Sequence, residues 1–233
     1  MDNNSELYNR LRRNIMNYKI FIVGGDGFAR ECASYILEQE QSTNDIEFGG
    51  FLGHNGYHID FKSQSHFFRG DISEHKFQEN EYVVIGAGYP ELRHKIYMDL
   101  KKRNIKLYNL IAKGCFIHSS VVMGEGNVFI PPFRSSVDMK IGNGNVFNGG
   151  VNTGHDNIIG DFNFFGPRSQ ILGSVIVGSY NIIGANSVLL PNCKIGNNNK
   201  ISPLSAVYRG CGNNCYMHGS PAIKIGVIEQ CQE

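Results

Sequence analysis

The fold is decided by a long repeat whose middle, residues 141–177, reads IGNGNVFNGGVNTGHDNIIGDFNFFGPRSQILGSVIV. The repeat extends from Ile117 to Val207 and keeps a six-residue frame in which no residue is skipped. One mostly apolar column of this frame contains Ile117, Met123, Phe129, Ser135, Ile141, Phe147, Thr153, Ile159, Phe165, Ile171, Val177, Ile183, Leu189, Ile195, Ile201 and Val207. Two more columns recur every eighteen residues, at Gly124, Gly142, Gly160, Gly178 and Gly196 and at Asn127, Asn145, Asn163, Asn181 and Asn199.

This periodicity is typical of a parallel β-helix. Six residues with one inward apolar side chain form a short strand and a turn, and three such units close a coil that is stable only when it is stacked on others. Asparagine and glycine tolerate the left-handed backbone angles that we expect at the corners. The alternative, an antiparallel β-domain, has strands and loops of variable length, so an unbroken six-residue register would be accidental. We therefore predict a β-helix over residues 113–210, followed by a C-terminal tail at 211–233.

Composition excludes several classes of function. The 233 residues contain 22 Lys and Arg against 21 Asp and Glu, so the net charge does not favour nucleic acid or an anionic membrane. With no long apolar run and no apolar export segment, we expect a soluble, cytoplasmic protein without a membrane span. The six cysteines are expected to be reduced thiols. Cys211 and Cys215, with His218, lack a fourth metal ligand, so we predict no metal site.

The region before the repeat alternates strands and helices. We predict a polar tail or short helix at residues 1–17 and a Rossmann-like α/β domain at 18–112. Its predicted elements are strands at Tyr18–Val23, Glu47–Leu52, Tyr82–Ile85 and Lys106–Ile111, and helices at Phe28–Glu40 and Pro90–Arg103. Ligands of such sheets bind at the carboxyl ends of the strands.

Glycine turns follow two of these strands and are the candidate nucleotide site. A strand, a glycine turn and a helix direct backbone N–H groups at a phosphate. The first turn and the start of its helix comprise Gly24, Gly25, Asp26, Gly27, Phe28, Ala29 and Arg30, and the second turn contributes Gly86 and Gly88. The second strand ends in Gly53-His54-Asn55, without the acidic residue that binds the ribose of NAD, which argues against NAD. His54 and Asn55 could instead approach a nucleotide base.

Three features together resemble one enzyme family. They are the GGDGFARE turn at residues 24–31, His155-Asp156 within the coils, and the tail Gly219-Ser220-Pro221-Ala222. The chain, from about Lys19 to Gly226, is similar to sugar N-acetyltransferases of the PglD, PerB and NeuD type. The resemblance implies a left-handed β-helix and a homotrimer with active sites between subunits. It also implies acetyl transfer from acetyl-CoA to an amino group, at C4, of a nucleotide-linked amino-dideoxy sugar used for surface polysaccharide or glycan synthesis.

The resemblance also implies roles for single residues. His155 would be the catalytic base, Asp156 its partner, and Gly173 the donor of a backbone N–H to the thioester oxygen. Asn148 would lie against the sugar. Acetyl-CoA would be bound by Phe164, Gly173, Ala185, Pro221 and Lys224. The family usually has a second His in an Asp-x-x-His-x-x-Pro motif, whereas Asp161-Phe162-Asn163-Phe164-Phe165-Gly166-Pro167 has Phe164 there.

The repeat supports this assignment independently of the resemblance. Gly173 follows His155 by eighteen residues, so it should lie one coil above it, at the strand spacing of roughly 4.8 Å. A neutral imidazole suits proton removal from an amine near pH 7. Without the resemblance, a His at a β-helix corner is more often a solvated surface residue.

Other functions stay open at this stage. A carbonic-anhydrase-like hydrolase needs three converging His ligands, but the coils contain only His118 and His155, which are out of phase with the eighteen-residue period. A sialic-acid-type O-acetyltransferase of the same family and a non-catalytic sugar-nucleotide-binding protein are the remaining alternatives.

Overall fold

A computed structural model describes residues 18–43, 45–54 and 62–228, with the side chains of 62–64 excluded. Its contacts divide the chain into two compact units, residues 1–86 and 87–233. The predicted tail at 1–17, the candidate Asn55 and the last five residues lie outside the described residues.

The first unit contains a parallel sheet and one long helix. Its strands are β1 (Tyr18–Val23), β2 (Ile46–Gly53), β3 (Phe68–Asp71) and β4 (Glu81–Ile85), in the order β3-β2-β1-β4. Helix α1 spans Gly27–Ser42, and a 3₁₀ helix spans Lys62–Phe67. All three strand pairs are parallel, which fits the predicted α/β architecture. Strand β3, which carries no clear alternation of apolar residues, was missed in the sequence.

The second unit begins with helix α2 (Pro90–Lys102) and continues as short strands. The strands are β5 (Leu110–Ile111), β6 (Val122–Met123), β7 (Val128–Phe129), β8 (Lys140–Ile141), β9 (Val146–Phe147), β10 (Asn152–Thr153), β11 (Ile158–Ile159), β12 (Phe164–Phe165), β13 (Gln170–Ile171), β14 (Ile176–Val177), β15 (Ile182–Ile183), β16 (Val188–Leu189), β17 (Lys194–Ile195), β18 (Lys200–Ile201), β19 (Ala206–Val207), β20 (Gly210–Cys211), β21 (Cys215–Gly219) and β22 (Ala222–Val227).

These strands form three sheets, which we call sheets I, II and III. Sheet I has the order β22-β21-β18-β15-β12-β9-β7-β5, sheet II β10-β13-β16-β19, and sheet III β20-β17-β14-β11-β8-β6. Thr153 pairs with Ile171 and Ile159 with Val177, so strands eighteen residues apart are neighbours. The chain visits the sheets in the order I, II, III, which confirms the predicted parallel β-helix.

The repeat does not stop at Val207 but becomes shorter. Lys194 pairs with Gly210 and Lys200 with Tyr216, sixteen residues apart instead of eighteen. The chain then turns into an antiparallel hairpin, β21–β22, at the end of sheet I. The coils therefore extend beyond the position where the six-residue frame is lost.

The apolar column forms the core of the β-helix. Phe129, Phe147 and Phe165 stack with ring centroids 4.8 Å apart and interplanar angles of 2° and 7°. This distance equals the spacing of neighbouring strands, so the rings stack in step with the strands that carry them. The frame thus predicts correctly which side chains point inward.

The glycine and asparagine columns do not serve the left-handed corner conformations that we predicted for them. At Gly160 an added Cβ would lie 2.8 Å from the carbonyl oxygen of Gly178 in the next coil, so glycine is needed for space rather than for a positive φ. The asparagines are buried: the Oδ1 of Asn145 accepts from the N–H of Asn163 at 2.9 Å, and the Nδ2 of Asn145 donates to the carbonyl of Gly160 at 2.9 Å. This internal ladder satisfies backbone groups that water cannot reach.

The segment before the repeat belongs with the coils. Lys106–Ile111 was predicted as a strand of the α/β sheet, but only Leu110–Ile111 is a strand, and it pairs with β7 at the start of sheet I. Helix α2 also lies in the β-helix unit, although the sequence placed it in the α/β domain. Its Tyr97 hydroxyl donates to Glu125 at 2.9 Å, and its His94 ring lies 5.0 Å from that of Phe162.

Candidate active site

The candidate site lies where the chain passes from sheet II to sheet III, an edge that we call edge II/III. Between β10 and β11, the Nδ1 of His155 lies 2.7 Å from the Oδ2 of Asp156. Both side chains are largely exposed, at 59% and 60%. Asp156 has a φ of +57°, which allows its carboxylate to fold back toward the preceding ring. Asp156 therefore faces His155, as a partner of the proposed base has to.

The pair defines which ring nitrogen carries the proton. A carboxylate only accepts hydrogen bonds, so Nδ1 must be the donor. Neutral His155 then has its lone pair on Nε2, the nitrogen that points away from Asp156. The arrangement provides a base with a fixed tautomer.

Gly173 lies one coil above His155, as the period predicts. The N–H of Ser174 donates to the carbonyl of His155 at 2.8 Å. A Cβ added at Gly173 would lie 2.8 Å from Nε2 and 2.9 Å from Cε1 of His155, so the imidazole rests against this glycine. The neighbouring Leu172 donates its N–H to Leu189 at 3.0 Å, whereas the N–H of Gly173 has no acceptor within the described part of the chain. An available N–H donor and an imidazole base therefore lie side by side.

The other residues assigned to sugar and CoA lie elsewhere on the coils. Asn148 follows β9 at the edge between sheets I and II, and its Oδ1 accepts from the N–H of Gly149 at 2.7 Å. Ala185 lies on this same edge, above Gly166. Phe164 is half-buried in β12 of sheet I, where an added Cβ on Gly88 would lie 3.6 Å from its ring. Pro221 and Lys224 are exposed in the β21–β22 hairpin, also in sheet I. A single chain does not bring them to His155.

In the first glycine turn of the α/β unit, the Asp26 side chain already accepts hydrogen bonds from backbone N–H groups that could bind a phosphate. The Oδ1 of Asp26 accepts from the N–H groups of Phe28 at 3.0 Å and Ala29 at 3.1 Å. The N–H of Gly24 donates to the carbonyl of Leu52 at 3.2 Å. Asp26 is thus the N-cap of α1 and supplies the negative charge that a phosphate would otherwise bring.

The remaining candidates of this unit are tightly packed. Gly86 donates its N–H to the carbonyl of Val23 at 2.8 Å, and an added Cβ would lie 2.7 Å from the side chains of Ala29 and Ile22. This glycine therefore serves close packing between β4 and α1. His54, directly after β2, is 2% exposed. Gly25, Gly27 and Arg30 complete the turn and the first residues of α1.

Neither a metal centre nor a membrane span is found in the described part of the chain. Among residues 18–43, 45–54 and 62–228, no three His, Cys, Asp or Glu side chains come together as metal ligands. Within the same ranges, no helix combines the length and the apolar character needed to cross a bilayer.

One functional candidate was missed in the sequence. Arg93 of α2 is fully buried, although arginine is rarely buried. The signal was its spacing, because Arg93 precedes Ile96 and Leu100 by three and seven residues and so lies on the apolar face of the helix.

Comparison with known proteins agrees with this architecture. Residues 158–191 match the family described as bacterial transferase hexapeptide (six repeats). No curated protein sequence matches significantly.

Three solved structures share the fold over most of the chain. WeeI from Acinetobacter baumannii AYE is 20% identical, with a TM-score of 0.76 over 89% of this chain and 100% of its own. The acetyltransferase domain of PglB from Neisseria gonorrhoeae FA1090 is 15% identical, with a TM-score of 0.79 over 90% and 100%. PerB from Caulobacter crescentus, solved with CoA and GDP-perosamine, is 21% identical, with a TM-score of 0.75 over 89% and 97%. This chain therefore combines hexapeptide repeats of the bacterial transferase type with the fold of these three proteins.

Proposed function

We propose that the protein transfers acetyl from acetyl-CoA to the amino group, at C4, of a nucleotide-linked amino-dideoxy sugar. One observation carries the proposal: the His155–Asp156 pair lies directly against Gly173, whose N–H is available to a ligand. The proteins of similar fold support the choice of substrates, because PerB was solved with CoA and GDP-perosamine and the PglB domain with acetyl coenzyme A. We place this reaction in surface polysaccharide or glycan synthesis in the cytoplasm.

The chemistry follows from the positions of the two groups. The sugar nitrogen attacks the thioester carbon while Nε2 of His155 removes a proton from that nitrogen. The N–H of Gly173 donates to the oxygen that becomes negative, a C–N bond forms, the C–S bond breaks and CoA leaves as a thiolate. General-base catalysis contributes about 10²–10⁴-fold. A single oxyanion donor contributes about 3–4 kcal/mol in known cases.

Two sets of residues are proposed to bind the two substrates. Residues 24–30, Gly86 and Gly88 hold the nucleotide, with His54 and Asn55 near its base. Asn148 contacts the sugar. The CoA residues are Phe164, Gly173, Ala185, Pro221 and Lys224. Since an anionic diphosphate must share the α1 N-terminus with Asp26, we expect it either to displace this carboxylate or to bind beside it.

A homotrimer of left-handed β-helices would complete the site. Phe164 and His155 belong to different faces of one chain, so they can meet only between copies. Beside edge II/III, the outward side chains Ile158 and Ile176 of sheet III are 47% and 37% exposed, an apolar surface that a second copy would cover. Sedimentation velocity tests this assembly: three chains of 26.0 kDa are expected, and a monomer over the micromolar range would contradict it.

The reaction is tested by CoA release from acetyl-CoA with UDP-, GDP- and dTDP-linked 4-amino-4,6-dideoxyhexoses. We expect turnover with one nucleotide and a loss of at least about a hundredfold in His155→Ala, the lower range for a lost general base. His118→Ala is the matched control, because His118 also lies in the coils but bonds Ser120 instead of a carboxylate.

The alternatives give different results in the same assay. Turnover that survives His155→Ala would refute the proposed mechanism. Turnover with sialic acid alone would indicate the O-acetyltransferase. Nucleotide-sugar binding without any turnover would indicate a binding protein.

A further inference from the structure

Arg93 is a buried guanidinium that connects one turn to two coils. It is 0% exposed. Its NH1 donates to the carbonyl of Ala87 at 2.8 Å, its Nε to the carbonyl of Gly144 at 2.8 Å, and its NH2 to the carbonyl of Gly126 at 2.7 Å. Gly126 and Gly144 occupy equivalent corners of successive coils, eighteen residues apart.

The guanidinium is suited to this task by its shape. It presents five donors in a rigid plane, so one group reaches three carbonyls in fixed directions. Lysine carries the same charge on a single nitrogen and lacks this fork. The rest of α2 strengthens the attachment, because Lys101 and Tyr97 both contact Oε1 of Glu125, at 2.7 and 2.9 Å, next to Gly126.

The backbone held in this way belongs to a turn with a proposed function. Ala87 lies between Gly86 and Gly88, which we assign to the nucleotide. Gly88 in turn lies next to the ring of Phe164. Ala87 and Gly88 are therefore fixed to the coils through one side chain that lies on the buried face of α2.

We propose that Arg93 is a positioning residue for the acceptor substrate. By holding the carbonyl of Ala87 against the coils at Gly126 and Gly144, it keeps the Ala87–Gly88 backbone in the conformation that binds the nucleotide sugar. It touches no reacting atom, so its loss weakens acceptor binding and leaves the chemical step unchanged. This inference rests on the proposed function.

The test compares Arg93→Lys with Ile96→Ala. Ile96 is 2% exposed and lies three residues further along α2, so its truncation destabilises the same helix and keeps the Arg93 side chain that bonds Ala87. In Arg93→Lys we expect KM for the nucleotide sugar to rise about tenfold, equal to about 1.4 kcal/mol. The value of kcat should stay within about twofold, because Arg93 touches no reacting atom. Hydrogen exchange of the backbone around Ala87 should become faster.

The outcomes are distinct. Ile96→Ala should lower the unfolding temperature and keep the wild-type KM. An unchanged KM for the nucleotide sugar in Arg93→Lys, with an active wild-type protein, would overturn this inference and leave the proposed function intact. An equal rise of that KM in Ile96→Ala would reduce Arg93 to a stabilising residue and also overturn it. A wild-type protein without turnover or nucleotide binding would overturn the proposed function and the inference together.

Discussion

Replacing Gly173 by alanine tests the site with one methyl group. The substitution keeps the backbone N–H and every functional atom of His155 and Asp156. Gly173 does not have a positive φ, so alanine fits its backbone conformation. The new Cβ, however, would lie 2.8 Å from Nε2 and 2.9 Å from Cε1 of His155, in the space that the imidazole now occupies.

The expected effect can be estimated from these distances. The ring must retreat from 2.8 Å to at least the 3.4 Å of an ordinary contact, a shift of about half an ångström. Misplacing a catalytic group by about 1 Å can cost about 10²-fold. We therefore expect kcat/KM to fall between about tenfold and a hundredfold, or about 1.4 to 2.7 kcal/mol. The ring is 59% exposed and can move into water, so the unfolding temperature should change by less than about 3 °C.

The assay is CoA release at several concentrations of each substrate, with thermal unfolding of the same samples. Gly212→Ala is the matched control, because it lies in the same β-helix and its added Cβ meets no atom within 4 Å. Wild-type activity in Gly173→Ala would refute the conclusion that His155 acts from its observed position. An equal loss in Gly212→Ala would show that the effect is not specific to the site.

Three further predictions concern other parts of the molecule. Asp26→Asn keeps the N-cap but removes a negative charge, so a nucleoside diphosphate at the α1 N-terminus should bind about tenfold more tightly, as measured by calorimetry. The control, Glu38→Gln at the exposed far end of α1, should have no effect. Unchanged affinity in Asp26→Asn would place the diphosphate elsewhere. Burial raises the pKa of Cys193 from 9.0 to about 11, so the unfolded thiol ionises first and the free energy of unfolding should fall as pH rises from 9 to 11. That fall, by at most about 1.4 kcal/mol per pH unit, should be smaller in Cys193→Ala, and denaturant titrations that show equal slopes for both proteins would contradict it. Asn163→Ala removes a buried amide that bonds two coils, so it should lower the free energy of unfolding by about 3 kcal/mol or more, and a cost below about 1 kcal/mol would argue against the ladder.

The sequence predicts most of the β-helix because its period is a physical constraint. One inward side chain per six residues defines the core, and eighteen residues define which residues stack, so the proximity of His155 and Gly173 could be predicted. The contact between His155 and Asp156 could not be derived from the period, because it depends on the φ of Asp156.

Other features could not be derived from the same information. A recurring Asn163 shows that a position is special, but not whether its amide serves a turn or a buried ladder. The α/β pattern assigned Leu110–Ile111 to the wrong sheet, since a short apolar segment carries no information about its partner. Phe164 was assigned to the same site as His155 by resemblance. The two residues are nine positions apart, which is half a coil, and this separation already indicates that they lie on opposite sides of one chain.

Because the coils stack at a constant spacing, the length of the β-helix along its axis changes in equal steps. Each coil adds one strand spacing of about 4.8 Å, so the distance along the axis from the coil of His155 to the β21–β22 hairpin can change only in whole steps. Deleting residues 176–193 would remove one coil of eighteen residues and leave all other columns in phase, whereas deleting six or twelve residues would rotate every later coil onto another face. Length variation in this chain should therefore occur by complete coils, or at corners, where an inserted loop leaves the stack undisturbed.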